Sequence, residues 1–410
     1  MTAPVFGMQF TRPADEPVPV LGADFSKILV IETSADASNS EYPIGSPRRI
    51  SSSNTEAVAA LGTGLLADAV RGINDQLTSV NAGADVTVLR IAEGANAGAT
   101  AAAIAEACGD IPTIPSAVNG TPRIVVAGRT AWRPDLDTVN PVIAALQVNL
   151  SKILAVAPVD VDATSATNAI DARETMSSER LIPIGVAAKV WEGENVVVRP
   201  MMPRVAGLMA RIDNENKGKP FNPIANQPLY GLAGLSRKIP FNMLDGSNEG
   251  QQLLESNVSI VAEGEVGVDG AIADGGFVFI GTDNAATGEL WEQFHQVRGA
   301  DYIVAKMMRI TRQFLGPKIS ADSAEAWINS IAFMLGDHQT DGDILGYTPK
   351  NQMFKASKNS PENIRLGTLT LTIGIEPAPS FRVANHEIRR YRPAVEGLVA
   401  EIVARLDAAA

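Results

Sequence analysis

One cysteine and three histidines are all that 410 residues offer to thiol or soft-metal chemistry. The single thiol, Cys108, can form neither an internal disulfide nor a cysteine zinc site, so the chain suits a reducing cytosol. It lies in the Ala-rich helical pattern AAAIAEACGD, where a small buried hydrophobe is expected. His295, His338 and His386 are far apart and match no zinc-binding spacing. Aromatics are only 5% of the chain against 45% hydrophobic residues, so the cores are expected to be aliphatic and layered. No segment reaches ~18 continuous apolar residues, so no membrane-spanning helix is expected. A basic footprint is missing as well: the net charge is −12, which argues against bulk nucleic-acid binding. The start, MTAPVFGMQF, has neither a basic n-region nor a long apolar run, so no signal peptide is expected.

Motifs for enzyme chemistry are also scarce. Gly62-Thr63-Gly64-Leu65-Leu66-Ala67 spells the dinucleotide pattern G-x-G-x-x-A, but it falls inside a predicted helix, away from any strand-to-helix turn. Gly218-Lys219 is followed by Pro220, which has no hydroxyl for Mg²⁺, so it is no phosphate loop. Gly234-Leu235-Ser236-Arg237-Lys238 is not a nucleophile elbow. Asp337, Asp341 and Asp343 lack the spacing and the distal Glu of an EF-hand and read as a solvated acidic loop. Asp160 and Asp162 cannot be told from surface charge. No cofactor and no metal are expected.

What the chain does have is alternation. Residues 1–20 read as an arm: Val5, Phe6, Met8 and Phe10 lie in an extended piece, with Phe6, Met8 and Phe10 on one face, and Pro13, Pro17 and Pro19 hold the chain extended after it. Such a piece is either a frayed terminus or local edge strand, or a strand donated to another chain's sheet. From Ala23 to about Val198, short apolar strands alternate with helices. Strands are predicted at 27–31, 86–91, 123–127, 153–157, 181–186 and 196–199, and helices at 54–76, 99–108, 141–149 and 165–176. All-apolar strands between helices predict a doubly wound, mostly parallel sheet. The later half reads differently. A strand is predicted at 275–281, and helices at 300–315 and 323–335, the first with Ile303, Met307, Ile310 and Phe314 inward and Lys306, Arg309 and Arg312 outward. Leu369, Leu371, Ile373 and Ile375 alternate with Thr370 and Thr372, which predicts a half-buried strand. Phe381–Arg390 is extended, and Pro393 starts an amphipathic helix.

Between the halves runs VAGLMARIDNENKGKPFNPIANQPLYGLAGLSRKIPF. Its first part is a helix with Val205, Leu208, Met209 and Ile212 on one side and Arg204 and Arg211 on the other; a Pro- and Asn-rich crossing follows. Ala206-Gly207-Leu208, Ala210-Arg211-Ile212-Asp213, a Gly/Lys turn, Asn226 and Gly231-Leu232-Ala233-Gly234-Leu235 resemble the tail sheath proteins of contractile bacteriophage tails and pyocin-like particles, in particular the compact two-domain sheaths. Several other stretches are similar in the same order: KILVIET with the helix after it, VTVLRIAEG, Gly275–Gly281, the helix carrying Arg309 and Arg312, and LTLTIGIEPAPSF. Where the family commonly has Arg-Thr after the glycine-flanked strand, this chain has Thr282-Asp283.

The resemblance implies an α/β outer domain with a doubly wound, mostly parallel sheet, plus an α+β inner domain with extended N- and C-terminal arms, the inner domain built from both chain ends. The boundaries expected are 1–20 for the N-terminal arm, 21–235 for the outer domain, 236–380 for the inner domain, and 381–410 for the C-terminal arm and helix. It implies a structural subunit that polymerises as stacked hexameric rings around a tail tube and contracts to drive the tube through a cell envelope. The partners implied are other copies of the chain, the tube protein, and baseplate and tail terminator proteins, with no nucleic acid and no membrane insertion. The place implied is the virion tail, and the host cytoplasm during assembly. Val5, Phe6, Met8, Phe10, Leu369, Leu371, Ile373, Phe381 and Val383 would form intersubunit strands. Arg389, Arg390 and Arg392 are the candidates to face the tube; otherwise they belong to a solvated helix start or to salt bridges within the chain. Two alternatives stay open: an α/β enzyme of unknown class, and the sheath of a related injection system. Type VI sheaths are normally built from two chains, whereas this chain covers both halves.

Overall fold

The computed structural model describes residues 24–80, 82–135 and 138–408, and contacts divide the chain after Ala378 into two units. The first unit opens with β1 (Ile28–Thr33), β2 (Arg48–Ser51), α1 (Thr55–Ala59), α2 (Leu65–Leu77) and β3 (Asp85–Ile91). α3 (Ala97–Gly109), α4 (Ile114–Val118), β4 (Ile124–Ala127), α5 (Pro141–Asn149), β5 (Ala157–Asp160), α6 (Ala166–Glu174) and β6 (Leu181–Ile184) follow. Then come β7 (Ala188–Glu192), β8 (Asn195–Arg199), α7 (Met202–Glu215), β9 (Gln227–Leu229), β10 (Gly234–Leu235), α8 (Glu249–Glu255), β11 (Ile260–Glu263) and β12 (Phe277–Ile280). The unit closes with α9 (Phe294–Arg312), α10 (Ala321–Thr340), β13 (Ile344–Tyr347), α11 (Lys350–Met353), α12 (Pro361–Arg365) and β14 (Ile375–Pro377); α13 (Arg392–Asp407) belongs to the second unit.

β1 is the centre of the main sheet. It runs parallel to β3 on one side and to β4 on the other, and β2 adds antiparallel to β3. Val156 bridges Ile124 and leads into β5, which is parallel to β6. The parallel order β3-β1-β4-β5-β6 reverses its direction of growth at β1, the topology of a doubly wound sheet. Every residue of β1, β4, β5 and β6 is buried, as it must be in strands covered on both faces. The helix pairs α2–α7 and α3–α5 supply that cover. The α2–α7 crossing is tight because of Gly207: a Cβ there would lie 2.6 Å from the Ile73 carbonyl oxygen. That contact is the physical reason for a glycine in the Ala206-Gly207-Leu208 stretch.

Antiparallel sheets complete the mixed α/β architecture, in the orders β10-β7-β8, β11-β12-β9 and β13-β14. The large aliphatic core runs from Ile28 to Phe294. A smaller core gathers Phe25, Phe221, Tyr302, Ile303, Ile310, Ile331 and Leu335, with Phe25 and Phe221 edge-on to Tyr302 at 5.3 and 5.6 Å. α9 serves both cores, through Phe294 at its start and Tyr302 to Ile310 further on.

Several sequence expectations need correction. The helix expected over 54–76 is two helices, because Gly62 takes a left-handed φ of +85° and Gly64 caps α2. The strand expected at 153–157 begins at Ala157, since Leu154 is itself left-handed and ends a 3-10 turn. The alternating segment Leu369–Ile375 is mostly irregular; Leu371 makes one bridge to Phe354, and only Ile375–Pro377 pairs as a strand, with β13. Arg204 and Arg211, on the side of α7 away from its apolar stripe, are also buried, at 2% and 3% exposure. On α9, Lys306 is half-buried rather than outward.

Candidate assembly surfaces

Charge inside this protein is arranged as paired struts. Arg204 on α7 forks the carboxylate of Asp68 on α2, its Nη2 reaching Oδ1 at 2.8 Å. Arg211, one face further along α7, donates to the Pro228 carbonyl at 2.7 Å and lies over the Tyr230 ring. Arg298 on α9 forks Asp213, and Arg180 before β6 forks Asp301 on α9. A periodicity argument places charge outward; these residues are inward because each has a carboxylate or carbonyl waiting. Their partners lie 17 to 136 positions away, so no local pattern could reveal them.

The strand ends where doubly wound folds receive ligands are filled by the chain's own carboxylates. Asp160, at the end of β5, accepts from the backbone N–H groups of Met201 and Met202 at 2.9 and 3.0 Å, occupying the start of α7. Burial pushes its carboxyl up to about 7, against those two hydrogen bonds and Arg204. Asp160 is therefore no surface charge. Glu32, at the end of β1, is 4% exposed and held up by burial, with Thr33 N–H donating to it at 2.8 Å. The Gly62-Thr63-Gly64 turn does open a helix, contrary to the sequence reading, but its donors face Asp36: Thr63 N and Oγ1 bind that carboxylate at 2.9 and 2.6 Å. An anion arriving there would meet a negative charge.

The acidic loop after α10 is likewise built in. Asp343 accepts from His338 Nδ1 at 2.7 Å and from Lys219 at 3.0 Å, and Lys219 also binds Asp341 at 2.6 Å. Lys306 reaches the other nitrogen of His338 at 3.0 Å. Lys219 thus ties the Pro-rich crossing to the smaller core. Cys108 is fully buried, and burial alone pushes its thiol up to about 12. Among the described residues no three His, Cys, Asp or Glu side chains converge as a metal site would require, and no helix is long and apolar enough to cross a membrane.

The residues expected to make intersubunit contacts are distributed as follows. Val5, Phe6, Met8 and Phe10 lie outside the described residues. Leu369 is half-buried, and Leu371 and Ile373 pack against the smaller core of their own chain. In the second unit, Phe381 and Val383 are 88% and 71% exposed, in a segment with no strand pairing among the described residues. Arg389 pairs with Glu387, and Arg392 with Glu396 one turn along α13 at 2.8 Å; Arg390 is exposed beside them. α13 buries none of its side chains, and Val395, Leu398, Val399, Ile402 and Leu406 all show.

No protein-family model and no curated sequence matches this chain. Solved structures do. A chain of the contracted helical sheath of the anti-feeding prophage superposes with a TM-score of 0.68 at 15% identity, over 95% of this chain and 100% of that one. A chain of the contracted sheath complex of PVC, an extracellular contractile injection system, gives 0.66 at 13% identity, over 94% and 98%. A chain of the six-fold symmetrised anti-feeding prophage baseplate gives 0.65 at 14% identity, over 95% and 100%. The protein has the fold found in these contractile assemblies, from near one end of the chain to the other.

Proposed function

We propose that this chain is the sheath subunit of a contractile machine. One observation carries the reading: 95% of the chain superposes on all of a chain from a contracted helical sheath. The self-filled strand ends support it, since the position where an α/β enzyme would hold a ligand holds Asp36, Glu32 and Asp160 instead.

In this reading the copies stack as hexameric rings around a tail tube, with baseplate and terminator proteins at the ends. Residues 21–235 form the outer domain and 236–380 the inner one, with arms at 1–20 and 381–410. Val5, Phe6, Met8 and Phe10 act as a strand added to a neighbour's sheet, as do Phe381 and Val383, with Leu369, Leu371 and Ile373 leading into the latter. Backbone hydrogen bonds give such links direction, and alternate side chains fill pockets. Arg389, Arg390 and Arg392 face the tube. The lattice switches between two discrete packings, and a small difference per subunit sums over the assembly. The virion tail is one setting; the extracellular injection system is the second, favoured by the PVC sheath among the structural matches. Particles purified from the producing cell separate the two: a DNA-filled head marks the first, a headless sheathed tube the second. Electron microscopy of the protein alone tests the common claim, because a sheath subunit carries its own lattice contacts.

A further inference from the structure

The C-terminal segment leaves the first unit at Pro377 and Ala378, and these two residues are held on every polar group they possess. Pro377 sits opposite Ile344 in the β13–β14 pair. Ala378 N–H donates to the Asp343 carbonyl at 3.4 Å. The Gln296 side-chain amide donates to the Pro377 carbonyl at 3.2 Å, and His295 Nε2 to the Ala378 carbonyl at 3.1 Å. β13–β14 is a two-stranded pair with a register shift, a weak attachment alone. The two side-chain bonds come from the first turn of α9.

His295 is committed to this contact. It is 2% exposed, and burial pushes its pKa down to about 4, so the ring is neutral and carries one N–H. The carbonyl of Ala378 fixes that hydrogen on Nε2, because a carbonyl accepts only. Nδ1 is buried and has no partner among the described residues. A buried imidazole with one orphaned nitrogen is a cost to the fold, offset here by the bond to the root. Directly after it on α9 stand Arg298, which forks Asp213 of α7, and Asp301, which takes Arg180 before β6.

We propose that His295 and Gln296 are positioning residues that clamp the root of the C-terminal segment to α9, so that a pull on this segment enters the body through α9 and its two buried ion pairs. The source of the pull rests on the sheath reading; the clamp does not. The test uses the full-length protein with His295→Phe and Gln296→Ala combined, and Gln296→Ala alone as the milder variant, its side chain being half-buried. Hydrogen exchange is read at the amides of Ile375, Glu376 and Ala378. The double variant exchanges there about tenfold faster and the single variant about threefold, with exchange in α2 and α7 unchanged. Pulling on the C-terminus in optical tweezers, with the second handle at exposed Val148, gives an early extension step at lower force in the double variant. Unchanged exchange at the root in both variants, or an unchanged first step, overturns the clamp. If the wild type forms no tubes, the sheath reading fails while the exchange result still decides the clamp. If the double variant does not fold, the single variant decides it.

Discussion

Arg298 on α9 grips both carboxylate oxygens of Asp213 on α7, and each residue is only 1% exposed. Arg298 also donates to the carbonyl of Phe25 at 3.3 Å, so one guanidinium joins the segment before β1, the crossing helix and α9. Removing one partner leaves a buried charge with no counterpart. Arg298→Met is expected to cost about 3–5 kcal/mol in urea unfolding, and Arg298→Met with Asp213→Leu to recover a large part of it. A loss in the double variant equal to the sum of the losses for Arg298→Met and Asp213→Leu alone would show that the pair is not coupled.

Gly207→Ala tests the close crossing of α7 on α2. A methyl group 2.6 Å from the Ile73 carbonyl must push the helices apart, at about 1–3 kcal/mol of stability. Gly109, in the last turn of α3, has open space where its Cβ would be, and Gly109→Ala should be neutral or mildly stabilising. Thermal melts of the two variants side by side check this, and equal melting temperatures would contradict it.

Acid acts on His295 with a definite sign. Its value in the fold, about 4, lies below the ordinary 6.5, so the unfolded chain takes the proton first as pH falls. The stability contributed by the neutral ring is complete above pH 6.5 and is lost on the way down to about 4. Asp160 has the opposite sense: raised from 3.8 to about 7, its contribution is complete below 3.8 and is lost as pH rises to 7. The wild type alone therefore shows a blend of the two. The stability difference between wild type and His295→Phe isolates the histidine, and it should shrink by roughly 3 kcal/mol between pH 7 and pH 4. A difference that stays flat over that interval would mean that the ring takes up its proton in the fold as readily as in the unfolded chain.

The strands of the main sheet were legible because a strand buried on both faces is an apolar run, as in Ile28–Ile31 and Ile124–Ala127. α5 was legible at both ends, with Asn140 and Pro141 marking its start. Misreadings arose where the deciding partner is distant. Leu154 belongs to one continuous apolar stretch with Val156 and Val159, and only its left-handed backbone tells where the strand starts. The sequence set Arg204 and Arg211 opposite the apolar stripe but could not show that Asp68 and Pro228 bury them there. Asp343 looked solvated until Lys219, from the crossing more than a hundred residues earlier, closed on it. Alternation at Leu369–Ile375 was real, yet a strand also needs an edge to pair with, and β13 offers one only to Ile375–Pro377. For the arms, residue pattern could name Phe6, Met8, Phe381 and Val383; the first two lie outside the described residues, and Phe381 and Val383 are exposed.

The arm proposal makes a separable prediction. Phe6→Asp with Met8→Asp should abolish assembly while leaving the monomer folded, since each large side chain buried against a neighbour contributes about 1.5–3 kcal/mol. A circular dichroism melt showing global loss of structure would instead place these residues in the chain's own core. Arg389, Arg390 and Arg392 changed together to Glu should weaken tube binding without blocking sheath formation; undiminished tube binding would remove them from that interface.

The central claim is tested most directly by negative-stain electron microscopy of the purified full-length protein, with no other component present. Long, hollow, helically striated tubes are the predicted result. Discrete small oligomers that persist across protein concentration and salt would contradict the sheath reading and return attention to the α/β sheet as a ligand-binding framework.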